Sequence, residues 1–221
     1  ELAGTFGIDP ARVRLCMAGG LPQDAAMPGE TEDDTAQADR DAAGLGAGDV
    51  VIALTASGRT PYALRMADLA RAAGARTICI ANNPDAAIFD HADVAICLPT
   101  PPELIAGSTR MGAGTAQKTA LNLMSTLMGM RLGHIHDGWM VNLRADNDKL
   151  RARARGMVAA ISSTDNDTAR DALATGNGNV KVAVLLATGC TTPHDAHMRL
   201  ARSGGNLRRA MTDVPLPSGE T

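Results

Sequence analysis

The stretch Asp49 to Pro61, DVVIALTASGRTP, constrains the fold more than any other part of the chain. Val50-Val51-Ile52-Ala53-Leu54 is an unbroken apolar run, β-branched at its start, and reads as a strand buried on both faces, as in parallel sheets. It gives way at once to Thr55-Ala56-Ser57-Gly58-Arg59-Thr60, small and hydroxyl-bearing, with Pro61 placed to open a helix. Ligands of open α/β sheets sit beyond the carboxyl ends of the strands. A loop there made of Ser57, Gly58, Arg59 and Thr60 offers backbone N–H groups, hydroxyls and one guanidinium, a donor set suited to phosphate. An ordinary strand-to-helix turn with Gly58 at the bend is the plainer alternative.

The same rhythm continues downstream. Pro61 to Ala73 has apolar residues at helical spacing and ends at Gly74. Arg76 to Ala81 reads as a strand, Ala86 to His91 as a short helix or turn, and Asp93 to Leu98 as another strand. Upstream, Ala11 to Ala18 reads as a short strand and Thr35 to Leu45 as a helix. Strands alternating with helices at this interval imply βαβ units and a parallel sheet. Thr115 to Leu132, rich in Leu and Met, reads as a long, largely buried helix, and Lys149 to Ile161 as a second. Three short segments follow a polar link at Ser162 to Thr168: Thr168 to Thr175, Val180 to Ala187 and Pro193 to Ser203. They read as helices, although Val180 to Leu186 has the composition of a strand. The expected division is an α/β domain over 1–161 and a small helical domain over 162–221.

Composition removes several classes of function. The chain of 221 residues holds one Trp, one Tyr and two Phe, too few for aromatic stacking on nucleic acid, and its net charge of −3 provides no basic field for a polyanion. No segment approaches the apolar length that spans a bilayer, and no signal peptide is visible. Cys16, Cys79 and Cys97 fall in strand-like runs and are expected to be buried thiols. No Cys or His spacing suggests a metal, so none is expected.

A second dense polar cluster occupies Pro102 to Lys118, PELIAGSTRMGAGTAQK, with Glu103, Ser108, Thr109 and Arg110 ahead of the long helix. The start of that helix is a further candidate anion site. Two such loops after neighbouring strands would converge on one pocket. Carboxylates for acid–base chemistry are available at Glu1 and in Glu30 to Asp34, and nothing in the residues alone selects among Glu30, Glu32, Asp33 and Asp34.

GDVVIALTASGRTPY (Gly48 to Tyr62), Asn82-Asn83-Pro84 and PELIAGSTRMGAGTAQK followed by LNLMST resemble the N-acetylmuramic acid 6-phosphate etherases, which are SIS (sugar isomerase) domain proteins. NLRADNDKL (Asn142 to Leu150) and the helical tail resemble that family too, so the likeness runs from Glu1 to about Ala210. It implies a three-layer, flavodoxin-like parallel-sheet SIS domain with a small C-terminal helical domain, and a cytoplasmic homodimer that needs no cofactor. The substrate implied is a phosphorylated amino sugar, with no nucleic acid or membrane partner. The implied reaction releases D-lactate from N-acetylmuramic acid 6-phosphate by elimination and then hydration, leaving N-acetylglucosamine 6-phosphate. Glu1, in ELAGTFG, matches the family's general acid, with Ala3-Gly4 where two prolines are usual. Counting from Ala18-Gly19-Gly20 brings the general base to Glu32, preceded by Glu30-Thr31 in place of the usual Gly-Ala. Ser57 and Thr60 match a phosphate-binding loop. Glu103, Ser108 and Arg110 match a pocket-lining block, in which Gly112 stands where many members carry Lys.

Family members also have a long helix, a first strand and a Gly-Thr-Ser-Gly-Arg loop ahead of the acid glutamate, and no counterpart precedes Glu1 in this sequence. The resemblance therefore implies an N-terminally truncated domain lacking its first strand, a sheet with a gap, and little or no activity for this exact chain. A non-catalytic SIS sugar-phosphate sensor or a phosphosugar isomerase would share the fold and the phosphate loops.

Overall fold

A computed structural model describes residues 2–26 and 28–212. Glu1, the expected general acid, lies outside the described residues. By their contacts the residues fall into two units, 14–122 and a second formed by the N-terminal segment through Val13 together with the chain from Leu123 onward. This division falls well before the expected boundary at 161, because the helix after 148 packs on the helices that follow it.

The apolar run after Asp49 forms β1 (Val50–Leu54), which pairs in parallel with β2 (Arg76–Ala81), and β2 pairs in parallel with β3 (Val94–Cys97). Ile52 lies opposite Ile78, and Ile80 opposite Ile96. Ahead of the sheet comes α1 (Thr35–Asp41), capped by the Asp34 carboxylate on the Gln37 N–H. Helix α2 (Pro61–Ala72) connects β1 to β2 and ends at Gly74, whose φ of +76° provides the left-handed turn.

Small residues set the packing. Ala63 and Ala67 of α2 meet Ala53, Cys79, Ala81 and Ile88 in one buried cluster, and the absence of bulk lets the helix lie close on the sheet. Tyr62 and Met66 of α2 pack on Ala38 of α1. The Tyr62 hydroxyl donates to Asp41 at 2.6 Å, and burial together with this carboxylate pushes its pKa up.

Several expectations are corrected. β1 is not buried on both faces: Ala53 is covered, but Val50, Ile52 and Leu54, on the alternate face, are exposed. Ala11 to Ala18 forms no strand. The Gln37 side chain takes the place of a ladder partner there, donating to Met17 O and accepting from Gly19 N–H. Cys79 is buried as expected, but Cys16 and Cys97 are exposed. Helix α3 (Gly112–Arg131) is long but not largely buried. Leu121, Leu123, Leu127, Met128 and Met130 are exposed, since its apolar side chains surround the axis rather than line one face.

In the other unit, β4 (Ile135–His136) and β5 (Trp139–Met140) form a hairpin closed by Asp137-Gly138, both at positive φ, as a two-residue turn of this kind requires. Helices α4 (Asp148–Ser162), α5 (Asn166–Thr175), α6 (Val180–Ala187), α7 (Pro193–Arg202) and α8 (Leu207–Thr212) follow. The strand-like composition of Val180 to Leu186 is that of a central helix: Val180, Val182, Ala183, Val184 and Leu185 are all buried in the core of this unit, and Asn179 caps its start. Among the described residues, no helix is long and apolar enough to cross a membrane.

Candidate functional site

Thr55 is the first residue beyond β1 and still belongs to the ladder, its N–H donating to Ile80 O at 3.1 Å. Its buried hydroxyl oxygen accepts the Gly58 N–H at 3.2 Å and lies 3.0 Å from the Thr60 hydroxyl and 3.4 Å from that of Ser57. The Ser57 hydroxyl oxygen accepts the Arg59 N–H. A hydroxyl cluster thus folds the loop around itself.

Two further contacts hold the loop from outside. Asn83 donates its side-chain amide to Ser57 O, and Ile88 donates its N–H to Gly58 O. Gly58 has φ +74°, and a Cβ added there would stand 2.1 Å from Ala86 Cβ and 2.8 Å from Ala86 Cα. No other residue fits without backbone movement.

Thr60 is the residue that precedes α2, yet its side chain makes no capping hydrogen bond. The amides of the first turn of α2 are left without a side-chain acceptor, beside the Ser57 and Thr60 hydroxyls and the exposed Arg59. Donors and partial positive charge meet there, so the loop suits a small anion.

The acidic stretch resolves in favour of one residue. Glu32 lies in a short helical turn, Thr31–Asp33, and its carboxylate accepts from the Thr60 hydroxyl at 3.4 Å. Asp34 is committed to α1, capping it and facing Arg40 at 3.7 Å. Glu32 is therefore the carboxylate of Glu30 to Asp34 that reaches the phosphate-type loop among the described residues.

The second cluster is arranged differently from its expectation. The Glu103 carboxylate accepts the Met111 N–H at 3.0 Å and the Gly112 N–H at 3.0 Å, so it occupies the beginning of α3. Partial burial opposes ionisation, but bonds from the Met111 N–H, the Ser108 hydroxyl and the Gly112 and Ala113 N–H groups hold its pKa below the ordinary value. The α3 N-terminus is thus not an open anion site, and Glu103 is not a free pocket wall. Ser108 receives Arg110 Nε at 3.2 Å. Thr109 is exposed, and its carbonyl accepts the Gly114 N–H.

No direct hydrogen bond joins the two loops among the described residues. They are connected through Asn82-Asn83. Buried Asn82 donates to Leu98 O and accepts from Gln117 of α3, both at 2.8 Å, while Asn83 holds Ser57.

A SIS domain model matches residues 25–127, which takes in the parallel sheet and both loops. The chain is 42% identical over 214 residues to the N-acetylmuramic acid 6-phosphate etherase of Mycolicibacterium smegmatis, covering 96% of this chain and 72% of that protein. It is likewise 42% identical over 213 residues to the protein of that name from Deinococcus radiodurans, covering 96% and 70%. The relative so named from Geobacillus thermodenitrificans is 37% identical over 213 residues, covering 96% and 72%. The chain belongs to the N-acetylmuramic acid 6-phosphate etherase family.

Within this family frame, Thr55 and Asn82 are the residues that the sequence argument passed over as organisers of the site. Thr55 carried a signal, a hydroxyl directly at the carboxyl end of an apolar strand, with further hydroxyls two and five residues on. Asn82 carried the corresponding one, a polar residue ending a strand whose last positions are otherwise apolar.

Proposed function

We propose that the protein is a carbon–oxygen lyase that cleaves the D-lactyl ether of N-acetylmuramic acid 6-phosphate, with the phosphate on the Ser57–Thr60 loop and Glu32 as general base. Family membership supports the reaction, and the Glu32–Thr60 contact is the observation that carries the assignment of the base. The open-chain sugar has an aldehyde at carbon 1, so its carbon 2 proton is acidic and the ether oxygen on carbon 3 is placed for elimination. Glu32 takes the carbon 2 proton, the carbon 3–oxygen bond breaks, and a proton supplied to the departing oxygen completes D-lactate. Water then adds across the resulting double bond, its hydroxyl to carbon 3 and its proton to carbon 2, giving N-acetylglucosamine 6-phosphate. Glu1 as the acid rests on the resemblance of ELAGTFG alone.

In this reading the side chains of Ser57, Arg59 and Thr60 form the phosphate seat around the Gly58 turn, whose own N–H is taken by Thr55. The uncapped first turn of α2 supports it, because its amides are the loop's unused donors. A phosphorylated sugar does not cross a bilayer unaided, which is the reason to place the reaction in the cytoplasm. A homodimer belongs to the same reading, supported by the exposed Leu121, Leu123, Leu127 and Met130 of α3, and sedimentation at micromolar protein tests it.

Glu32→Gln tests the base. Loss of a general base lowers the rate by about 10²–10⁴-fold. D-lactate release should fall by that order while affinity for N-acetylglucosamine 6-phosphate stays within about threefold, since the glutamine amide oxygen can still accept from the Thr60 hydroxyl of the phosphate seat. Lactate release within a few-fold of the unaltered protein would remove Glu32 from the role.

A further inference from the structure

The hydroxyls beyond β1 form a chain with a fixed direction. Thr60 donates to the Glu32 carboxylate at 3.4 Å, and its oxygen lies 3.0 Å from that of Thr55. A threonine hydroxyl has one proton, and a carboxylate only accepts. With the Thr60 proton directed at Glu32, the Thr60 oxygen is left to accept from Thr55. Buried Thr55 gives its own proton there, at 3.0 Å, rather than to Ser57 at 3.4 Å, and its oxygen takes the Gly58 N–H. The Ser57 oxygen accepts the Arg59 N–H, and the Ser57 proton remains for another acceptor. In this arrangement Ser57 has a proton to offer an anion and Thr60 has none.

A phosphate on the seat described above calls on that same Thr60 proton. We propose that the Thr60 hydroxyl serves Glu32 and the phosphate by turns, and that Thr55 is the positioning residue that holds its oxygen through the exchange. The inference rests on the sugar-phosphate reading and deepens it, because it ties the state of the base to occupancy of the phosphate seat. The exchange needs only rotation of the Thr60 O–H about its C–O bond. The oxygen stays in place, accepting from Thr55, while the proton turns from carboxylate to phosphate. At 3.4 Å the Thr60–Glu32 bond is far longer than the about 2.6 Å of a strong hydroxyl–carboxylate bond, so little opposes the exchange. Glu32 then has one donor fewer, and such a carboxylate takes up a proton more readily. Seating the phosphate thus readies the base for carbon 2 of the same substrate.

The test measures the affinity of the full chain for inorganic phosphate by phosphorus-31 titration, since phosphate alone has no sugar to touch Glu32. Glu32→Gln and Glu32→Ala both remove the charge, but only alanine removes the acceptor. Glu32→Gln should tighten phosphate by no more than about threefold and Glu32→Ala by about tenfold, the worth of one hydrogen bond to a charged group. In a Thr60→Val background the two should be alike. Thr55→Val should weaken phosphate by about fivefold, and Thr55→Ser, which keeps the hydroxyl, should restore it to within about twofold. Thr55→Val/Thr60→Val should bind no more weakly than Thr60→Val alone, because Thr55 acts through Thr60, whereas a merely structural loss would add.

Equal tightening in Glu32→Gln and Glu32→Ala with Thr60 present would show charge repulsion alone and overturn the exchange. Additive losses in the Thr55→Val/Thr60→Val variant would overturn the role of Thr55. The Glu32 and Thr60 variants leave Thr55 in place, so they decide the exchange even where Thr55→Val does not fold. Phosphate binding with the expected relations but no lactate release in the unaltered protein overturns the assigned reaction and leaves the exchange standing. No phosphate binding in the unaltered protein overturns the phosphate seat and the exchange with it.

Discussion

Helices α2 and α3 begin in the same unit of the molecule, each after a parallel strand and each behind a loop with glycine and hydroxyl side chains, yet their first turns are treated in opposite ways. The loop before α2 satisfies itself: Thr55 and Ser57 take the Gly58 and Arg59 N–H groups, and the first turn of the helix has no side-chain cap. The loop before α3 sends back a carboxylate, Glu103, which fills the turn from within. The difference teaches that an anion-binding helix start is recognised by what it leaves unused, not by the glycines and serines nearby. Both loops have the second kind of feature, and only the first has the other.

The comparison breaks most severely at Gly58. Gly58→Ala meets a positive φ and puts its methyl against Ala86, including the backbone Cα. Left-handed backbone and overpacking together should destabilise the protein by about 3 kcal/mol. Urea denaturation should show this as a lowered midpoint, accompanied by loss of N-acetylglucosamine 6-phosphate binding. A midpoint unchanged from the unaltered protein would mean that the loop yields, and that the α2 start is not held open by this turn.

Asn82→Ala comes next, since it acts on the link between the two loops. It strands Leu98 O and the Gln117 amide, both half-buried, and such groups left without partners cost about 1 kcal/mol. Binding should weaken in parallel, because Asn83 and the Ser57 carbonyl lose their anchor. If Asn82→Ala were as stable as the unaltered protein, the two loops would be independent, and the effects of variants in one would simply add to those in the other.

Thr60→Val is a smaller perturbation of the fold with a larger meaning for the site. It keeps the shape and removes one hydroxyl that caps nothing, so stability should change by no more than about 1 kcal/mol. Phosphosugar affinity should fall about tenfold, equivalent to roughly 1.4 kcal/mol. An affinity left intact would transfer the phosphate away from α2 and undo the comparison.

Local chemistry made much of this legible in advance. The apolar run at Val50, the breaker Gly74 and the proline at Pro61 each act within a few residues, and β1, α2 and β2 lie where those signals put them. What was not legible depended on partners distant in sequence. The Ala11 to Ala18 segment had strand composition, but its end is held by the Gln37 side chain, at Met17 O and at the Gly19 N–H just beyond, rather than by a neighbouring strand. Helix α3 had the composition of a core helix, but its apolar side chains point in all directions, and the described residues cover only part of them. Glu103 was assigned to the pocket by resemblance because nothing in a sequence tells a carboxylate that meets a ligand from one that turns back on its own helix. Glu32 was separable from its acidic neighbours only once Asp34 was seen to be engaged elsewhere.

The smallest expected effect concerns acid. Burial works against the Glu103 carboxylate, but the bonds from Met111, Ser108, Gly112 and Ala113 prevail and hold its pKa below the ordinary 4.5. Around that value the unfolded chain therefore binds more protons than the folded one. The stabilisation Glu103 supplies is fully present above pH 4.5 and is lost as pH falls through its lower folded value. Asp93, held down by the Thr77 N–H first and Arg76 later, and Asp165, held down by Thr168, titrate in the same direction, so the acid limb of the intact protein belongs to several groups. The difference between the unaltered protein and Glu103→Gln removes the shared part. Their stabilities should be separated by a constant amount from pH 5 to 7 and converge below pH 4.5. Thr60→Val, at the uncapped helix, should instead follow the unaltered curve in parallel through the same range. Parallel curves for Glu103→Gln would mean that the α3 N-terminus does not depend on a charged carboxylate, and the two helix starts would then be alike after all.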